Sequence, residues 1–209
     1  MIARHLILVL CVLASAAACG DGAPRTAADS QAAHVRDVAA AGGTVDSILP
    51  IEEHLRRFRA TLARQPDTLA SASASIDALV ARWSSAVAAG DSAAFDAMVI
   101  DAAEFAWLFY PDSRMSKPPY EAPPGLLWGQ FLASSNDGVR AVLKRYGGKP
   151  LRVDAITCPD ALVEGANRLH ERCVVSVRSG TAAKEERRLF GTILERDGRF
   201  KFVGLASEL

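Results

Sequence analysis

An excess of charge of either sign is what this 209-residue chain lacks first: 24 Lys and Arg stand against 24 Asp and Glu, for a formal net charge of +0. Without a basic surplus no broad field draws the chain onto a phosphate backbone, so nucleic acid is excluded as an expected partner. Long apolar runs are missing too. The run over residues 6–13 falls well short of the roughly 20 residues that cross a bilayer, which argues against a polytopic membrane protein. Histidine is scarce: beyond residue 45 only His54 and His170 remain. The chain also has no G-x-S-x-G elbow, no phosphate-cradling glycine loop and no H-E-x-x-H pair. The usual nucleophilic, nucleotide-dependent and zinc-hydrolase chemistries lack their tools, and neither a cofactor nor a metal is expected. What is present is an ordinary apolar content of 50%, enough for one good core.

The first residues, MIARHLILVLCVLASAAAC, combine a basic Arg4, the short apolar run and small residues ahead of Cys19. That is the layout of a secretory signal over residues 1–18. The segment resembles a bacterial lipoprotein signal, in which the cysteine is lipidated and becomes the mature N-terminus; Ala16 departs from that pattern, which favours leucine there. Ala16-Ala17-Ala18 also suits ordinary signal peptidase, with release to the periplasm as the alternative. The cysteine count favours lipidation: Cys11 leaves with the signal, and a lipidated Cys19 leaves Cys158 and Cys173 as an even pair. The expected address is the bacterial envelope, on the periplasmic side of the outer membrane, with the membrane as partner through the anchor.

Residues 19–45 are Ala, Gly, Asp and Ser with few large apolar groups, and the expectation is a flexible tether. Within residues 46–68, Ile51, Leu55, Phe58 and Leu62 recur at helical spacing behind Pro50, and predict an amphipathic helix. Glu52 with Arg56 and Glu53 with Arg57 stand four apart in the favourable order. The arginines present either a solvated face or a contact for anionic headgroups.

From residue 75 to 209 the pattern is that of an α+β domain. Ile76, Leu79, Val80, Trp83 and Val87 form a second stripe that stops at Gly90, and Asp91 caps a short helix bearing Phe95, Met98 and Val99. The stretches LRVDAIT, CVVSVR, RRLFGTILER and RFKFVGLAS read as strands, the last two joined at Asp197-Gly198 in a two-residue hairpin. That turn pairs Glu195 with Phe200, Ile193 with Phe202, Gly191 with Gly204 and Leu189 with Ala206. It sends Leu189, Ile193, Phe200 and Phe202 to one face and Phe190, Leu194, Val203 and Leu205 to the other. Helices first and a four-strand meander last, with WSSAVAAGDSAAFDAM at the opening helix pair, resemble the nuclear transport factor 2-like (SnoaL-like) superfamily. The resemblance implies a cone: N-terminal helices packed on a curled antiparallel four-strand sheet. A cystatin-like roll is the alternative. Cys158 and Cys173 flank one strand connection and are expected to be bonded; a zinc site of both with His170 lacks a fourth ligand.

Residues 104–129 hold five of the ten prolines and six of the fourteen aromatics (three Trp, three Tyr, eight Phe). Dense apolar residues before Pro111 predict burial of Trp107 and Phe109. Residues 117–124 are expected to be stiff and extended, and Pro124 to start one helix with Leu127, Phe131 and Leu132, followed by a second with Val139, Val142, Leu143 and Tyr146. In the superfamily resembled, this region closes the open end of the cone. Tyr110, Asp112, Arg114, Tyr120 and Trp128 are then the candidate ligand-binding residues, for a small apolar ligand or an envelope protein; the other reading makes the segment a plug. Some superfamily members isomerise ketosteroids with an aspartate base and a tyrosine, a pairing that Asp101 or Glu104 with Tyr110 or Tyr120 would imitate.

Overall fold

A computed structural model describes residues 27–42 and 49–209. The chain divides into two units, Met1–Ile48 and Leu49–Leu209. In the first, Ala27–Ala40 forms helix α1. This stretch was expected to be an unordered tether; its six alanines supply helix propensity without any apolar stripe. The signal, Cys19 and the rest of the tether lie outside the described residues. No helix among the described residues is long and apolar enough to cross a membrane.

The second unit is α+β, with two antiparallel sheets and no closed barrel. Helix α2 (Ile51–Ala60) follows Pro50 and turns its stripe of Ile51, Leu55 and Phe58 onto a core cluster. The unit therefore begins before the expected boundary at residue 75. Glu53 takes both arginines, Arg56 at 2.7 Å and Arg57 at 2.7 Å, whereas Glu52 was expected to hold Arg56. Helix α3 (Ile76–Ala89) starts at Ser75, whose side chain accepts from the Ala78 N–H, and stops at a left-handed Gly90. The Asp91 carboxylate then accepts from the Ala93 and Ala94 N–H groups at 3.0 and 3.2 Å and starts a 3-10 turn, Ala93–Met98. A three-residue helix, α4 (Ala102–Glu104), runs into a π-turn, Phe105–Phe109.

Residues 117–124 are not extended. The Tyr120 N–H returns to the Lys117 carbonyl at 2.9 Å, so the chain turns there. Beyond it, one helix replaces the expected two: α5 (Pro124–Tyr146) has Pro124 in its first turn and runs unbroken through Gly138. A Cβ on Gly138 would lie 1.8 Å from the Leu205 carbonyl oxygen, so the glycine lets α5 lie directly on the C-terminal chain.

Seven strands follow: β1 (Leu151–Thr157), β2 (Leu162–Glu164), β3 (Asn167–His170), β4 (Val174–Ser179), β5 (Glu185–Arg187), β6 (Ile193–Arg196) and β7 (Arg199–Phe202). They form two sheets, ordered β1-β4-β5 and β2-β3-β6-β7, in place of the expected four-strand meander. The long strand expected over RRLFGTILER is broken: β5 joins one sheet and β6 the other. Between Cys158 and Cys173 the chain inserts the β2–β3 hairpin, which pairs β3 with β6. The two cysteines are bonded across the base of this excursion, Cα to Cα 4.2 Å. Their sulfurs are thereby closed to zinc, and His170 meets Glu195 at 2.8 Å instead.

The terminal hairpin has the expected register over Ile193↔Phe202, Glu195↔Phe200 and Arg196↔Arg199. Past Phe202 it frays: Gly191 still donates to the Gly204 carbonyl at 3.1 Å, but no ladder continues to Leu189 and Ala206. Alternation is lost with the ladder. Phe190 and Leu205, expected on the Leu194 face, join Leu189, Ile193 and Phe202 in the first core cluster with Trp83, Val87 and Val177. Leu194 and Val203 remain on the other face, in a second cluster centred on Phe105.

Candidate functional site

Phe105 is fully buried and stands 5.3 to 6.0 Å from five other rings: Phe58, Phe109, Tyr110, Trp128 and Phe131. Most of the aromatic stretch is therefore core. Aromatic pairs at such separations add to ordinary apolar burial. Trp107 is half-buried, against the expectation of full burial, because the Arg59 guanidinium rather than apolar chain covers it, 3.7 Å from the ring centroid. Arg59 also donates to the Ala106 carbonyl at 2.9 Å and so clamps α2 to the π-turn.

Where α5 passes the 3-10 turn, the two surfaces do not meet. Trp128, Phe131, Leu132, Ser135 and Val139 repeat at helical spacing along α5 and face Phe95, Val99 and Ile100 across a cavity of about 420 Å³. Val203 and Leu205 also line it. The far wall is held in place by main-chain pairing: Ile100 N–H donates to the Phe202 carbonyl at 2.9 Å. Ser135 is buried, and its hydroxyl accepts from the Leu205 N–H at 3.0 Å. The rim carries Asp96, Asp101, Asn136 and Arg140. Asp101 pairs with Arg64 and Arg140 with Asp137, which leaves Asp96 without an ion-pair partner among the described residues.

The five candidate residues do not come together. Trp128 lines this cavity. Arg114 lines a second one, on the far side of Phe131 and Val203. Tyr110 is not at a mouth: it is 1% exposed and its hydroxyl donates to the Ala122 carbonyl at 2.7 Å. Burial pushes its pKa up to about 12, with the charges of Glu52 and Glu121 adding to the effect. Asp112 is a brace. It accepts from Ala166 N–H at 3.2 Å and from Arg196 at 3.3 Å, and a Cβ on Gly165 would collide with it, so it seats the β2–β3 turn. Tyr120 is 59% exposed and lines neither cavity.

The isomerase-like pairing is not assembled. Asp101 spends one oxygen on the Ala103 and Glu104 N–H groups and the other on Arg64. Glu104 is sealed, accepting from Lys201 at 2.7 Å, Ala70 N–H at 2.6 Å and Asp101 N–H at 3.0 Å. Neither carboxylate meets a tyrosine hydroxyl. Trp128 apart, the residues that shape the cavity escaped the sequence reading because Leu132 and Val139 look like core at helical spacing. Ser135, a small polar residue inside that stripe, was the available sign that this helix face is not lined by large apolar groups throughout.

No family model matches the chain, and neither a curated protein nor a solved structure matches it.

Proposed function

We propose that residues 49–209 form a non-catalytic binding domain whose cavity between α5 and the 3-10 turn takes the apolar body of a small ligand. The observation that carries this reading is the cavity itself. It measures about 420 Å³, within the usual range of small-molecule sites, and has a mainly apolar interior with its charged groups on the rim. Its lining holds no cysteine, histidine or tyrosine.

The reading is tested by calorimetric titration of the mature chain with n-octanol, beside Leu132→Arg. Leu132 is 45% exposed on α5, so the arginine blocks the cavity mouth without burying a charge. The expected result is saturable one-to-one binding with a negative heat-capacity change, lost in the variant. Absence of saturable binding, or equal binding by Leu132→Arg, sinks it.

We infer further that the domain is a divergent member of the nuclear transport factor 2-like group, tethered to the bacterial envelope by a lipidated Cys19. The helix pair joined at Gly90-Asp91 and the terminal hairpin support the first part. Division of the strands into sheets of three and four departs from one curled sheet. The Cys158–Cys173 bond supports the second part, since it suits an oxidising compartment and leaves Cys19 as the odd cysteine. Mass spectrometry of the mature N-terminus decides between a lipidated and a plain cysteine.

A further inference from the structure

Behind the partition made by Phe131 and Val203 lies the second cavity, of about 320 Å³. Phe109, Leu127 and Leu169 give it an apolar floor. Gly191 and Gly204 form one wall from backbone alone; a Cβ on Gly191 would lie 2.8 Å from the Gly204 oxygen, so this side stays free of side chains. The charged groups of the lining are Arg114, Glu164 and Glu171: two carboxylates and one cation.

That single cation is shared unevenly. Arg114 places Nη2 2.9 Å from Glu171 Oε1, but its Nε stays 3.6 Å from Glu164 Oε1, beyond hydrogen-bond length. Among the described residues Glu164 otherwise accepts only the Arg114 backbone N–H, at 3.2 Å. Yet Glu164 is the more enclosed of the two carboxylates, its side chain 9% exposed against 34% for Glu171. A carboxylate withdrawn from water needs a close counter-charge, and this one has half of a distant guanidinium. One negative charge is left over beside an apolar hollow.

We propose that the second cavity binds a protonated amine with an apolar body, its ammonium on Glu164 and its hydrocarbon against Phe109, Leu127 and Leu169. Arg114 remains on Glu171. An alkyl ammonium, like a lysine side chain, keeps its charge at neutral pH, and aromatic walls tolerate it well. An anionic head would meet two carboxylates, and a neutral hydroxyl would leave the surplus charge in place.

The test uses the mature chain carrying Leu132→Arg, so that the first cavity is closed, titrated with n-octylamine, n-octanol and n-octanoate. Octylamine should bind about tenfold or more tightly than the other two, the scale of one charge-assisted hydrogen bond. That advantage should vanish in Glu164→Gln. Should Glu164→Gln fold poorly, Glu171→Gln serves: it releases Arg114 to pair with Glu164, and the octylamine advantage should again fall. Equal affinity for the three heads, tighter octanoate, or an undiminished advantage in the folded variants overturns the proposal. Failure here leaves octanol binding by the unblocked chain untouched, so the two cavities are judged separately.

Discussion

Glu104 and Lys201, 97 residues apart, form an ion pair of 2.7 Å in which the carboxylate side chain is 0% and the lysine side chain 4% exposed. The capping box of α4 and the Ala70 N–H satisfy the remaining carboxylate capacity, so the pair locks the start of the aromatic segment to β7. Pairs of this kind add little net stability against an apolar replacement, but losing one member strands a buried charge. Lys201→Met should cost about 3–5 kcal/mol in urea unfolding, and the double variant Lys201→Met/Glu104→Leu distinctly less than the sum. Strict additivity would show that the two charges do not compensate each other.

The bond between Cys158 and Cys173 closes a loop of sequence separation 15 around the β2–β3 hairpin. Replacing both cysteines with serine should cost about 3 kcal/mol by the chain-entropy account, a fall in melting temperature of about 6–12 °C for a domain of this size. Two free thiols titrating in the native, unreduced protein would falsify the pairing.

Two glycines of α5 should behave oppositely. Gly129 has open space where a Cβ would go, so Gly129→Ala should stabilise by about 0.5–1 kcal/mol through helix propensity. Gly138→Ala must push α5 off Leu205 and should destabilise by about 1–3 kcal/mol or more, as overpacking does. Thermal unfolding of the two variants side by side checks the contact, and equal shifts would remove it.

Tyr110 links stability to alkaline pH. Its folded pKa is raised to about 12 from 10.0 by burial, so its contribution is full below pH 10. It is lost as pH rises toward 12, because the unfolded chain releases the proton first. Tyr110→Phe gives up the bond to Ala122, roughly 1 kcal/mol, yet its stability should decline less steeply over that alkaline window. A parallel decline in wild type and variant would place the sensitivity elsewhere.

The Arg59–Trp107 stack should couple α2 to the π-turn. In a double-mutant cycle with Arg59→Ala and Trp107→Ala, the coupling should be about 1 kcal/mol, as expected for a partly shielded cation over an indole. A value indistinguishable from zero would mean that α2 is held by its apolar stripe alone.

Features carried by local chemistry were legible in the sequence. Gly90 ends α3 as expected because a left-handed glycine acts within one turn of chain. Asp197-Gly198 set the register from Ile193 to Phe202 because a two-residue turn leaves one pairing. The cysteine pair was legible because Cys158 and Cys173 stand at the two ends of one expected strand connection.

Other features depended on which distant surface each segment met. Nothing local marks β5 and β6 as belonging to different sheets; β6 is taken by β3, a strand of the hairpin that the cysteine excursion hides. Tyr110 turns inward because Phe105 gathers five rings around it, and Asp112 and Arg114 are drawn to the β2–β3 hairpin rather than to a common mouth. Periodicity reports that Leu132 and Val139 share a helix face, but whether that face is filled depends on where the 3-10 turn stops short of α5. The sequence by itself determined the short-range elements, the charge balance and the thiol pairing, since these rest on interactions within a few residues or on composition. Only the tertiary structure decided the two sheets, the Glu104–Lys201 lock and the two cavities, because burial preference names the residues that avoid water without naming their partners.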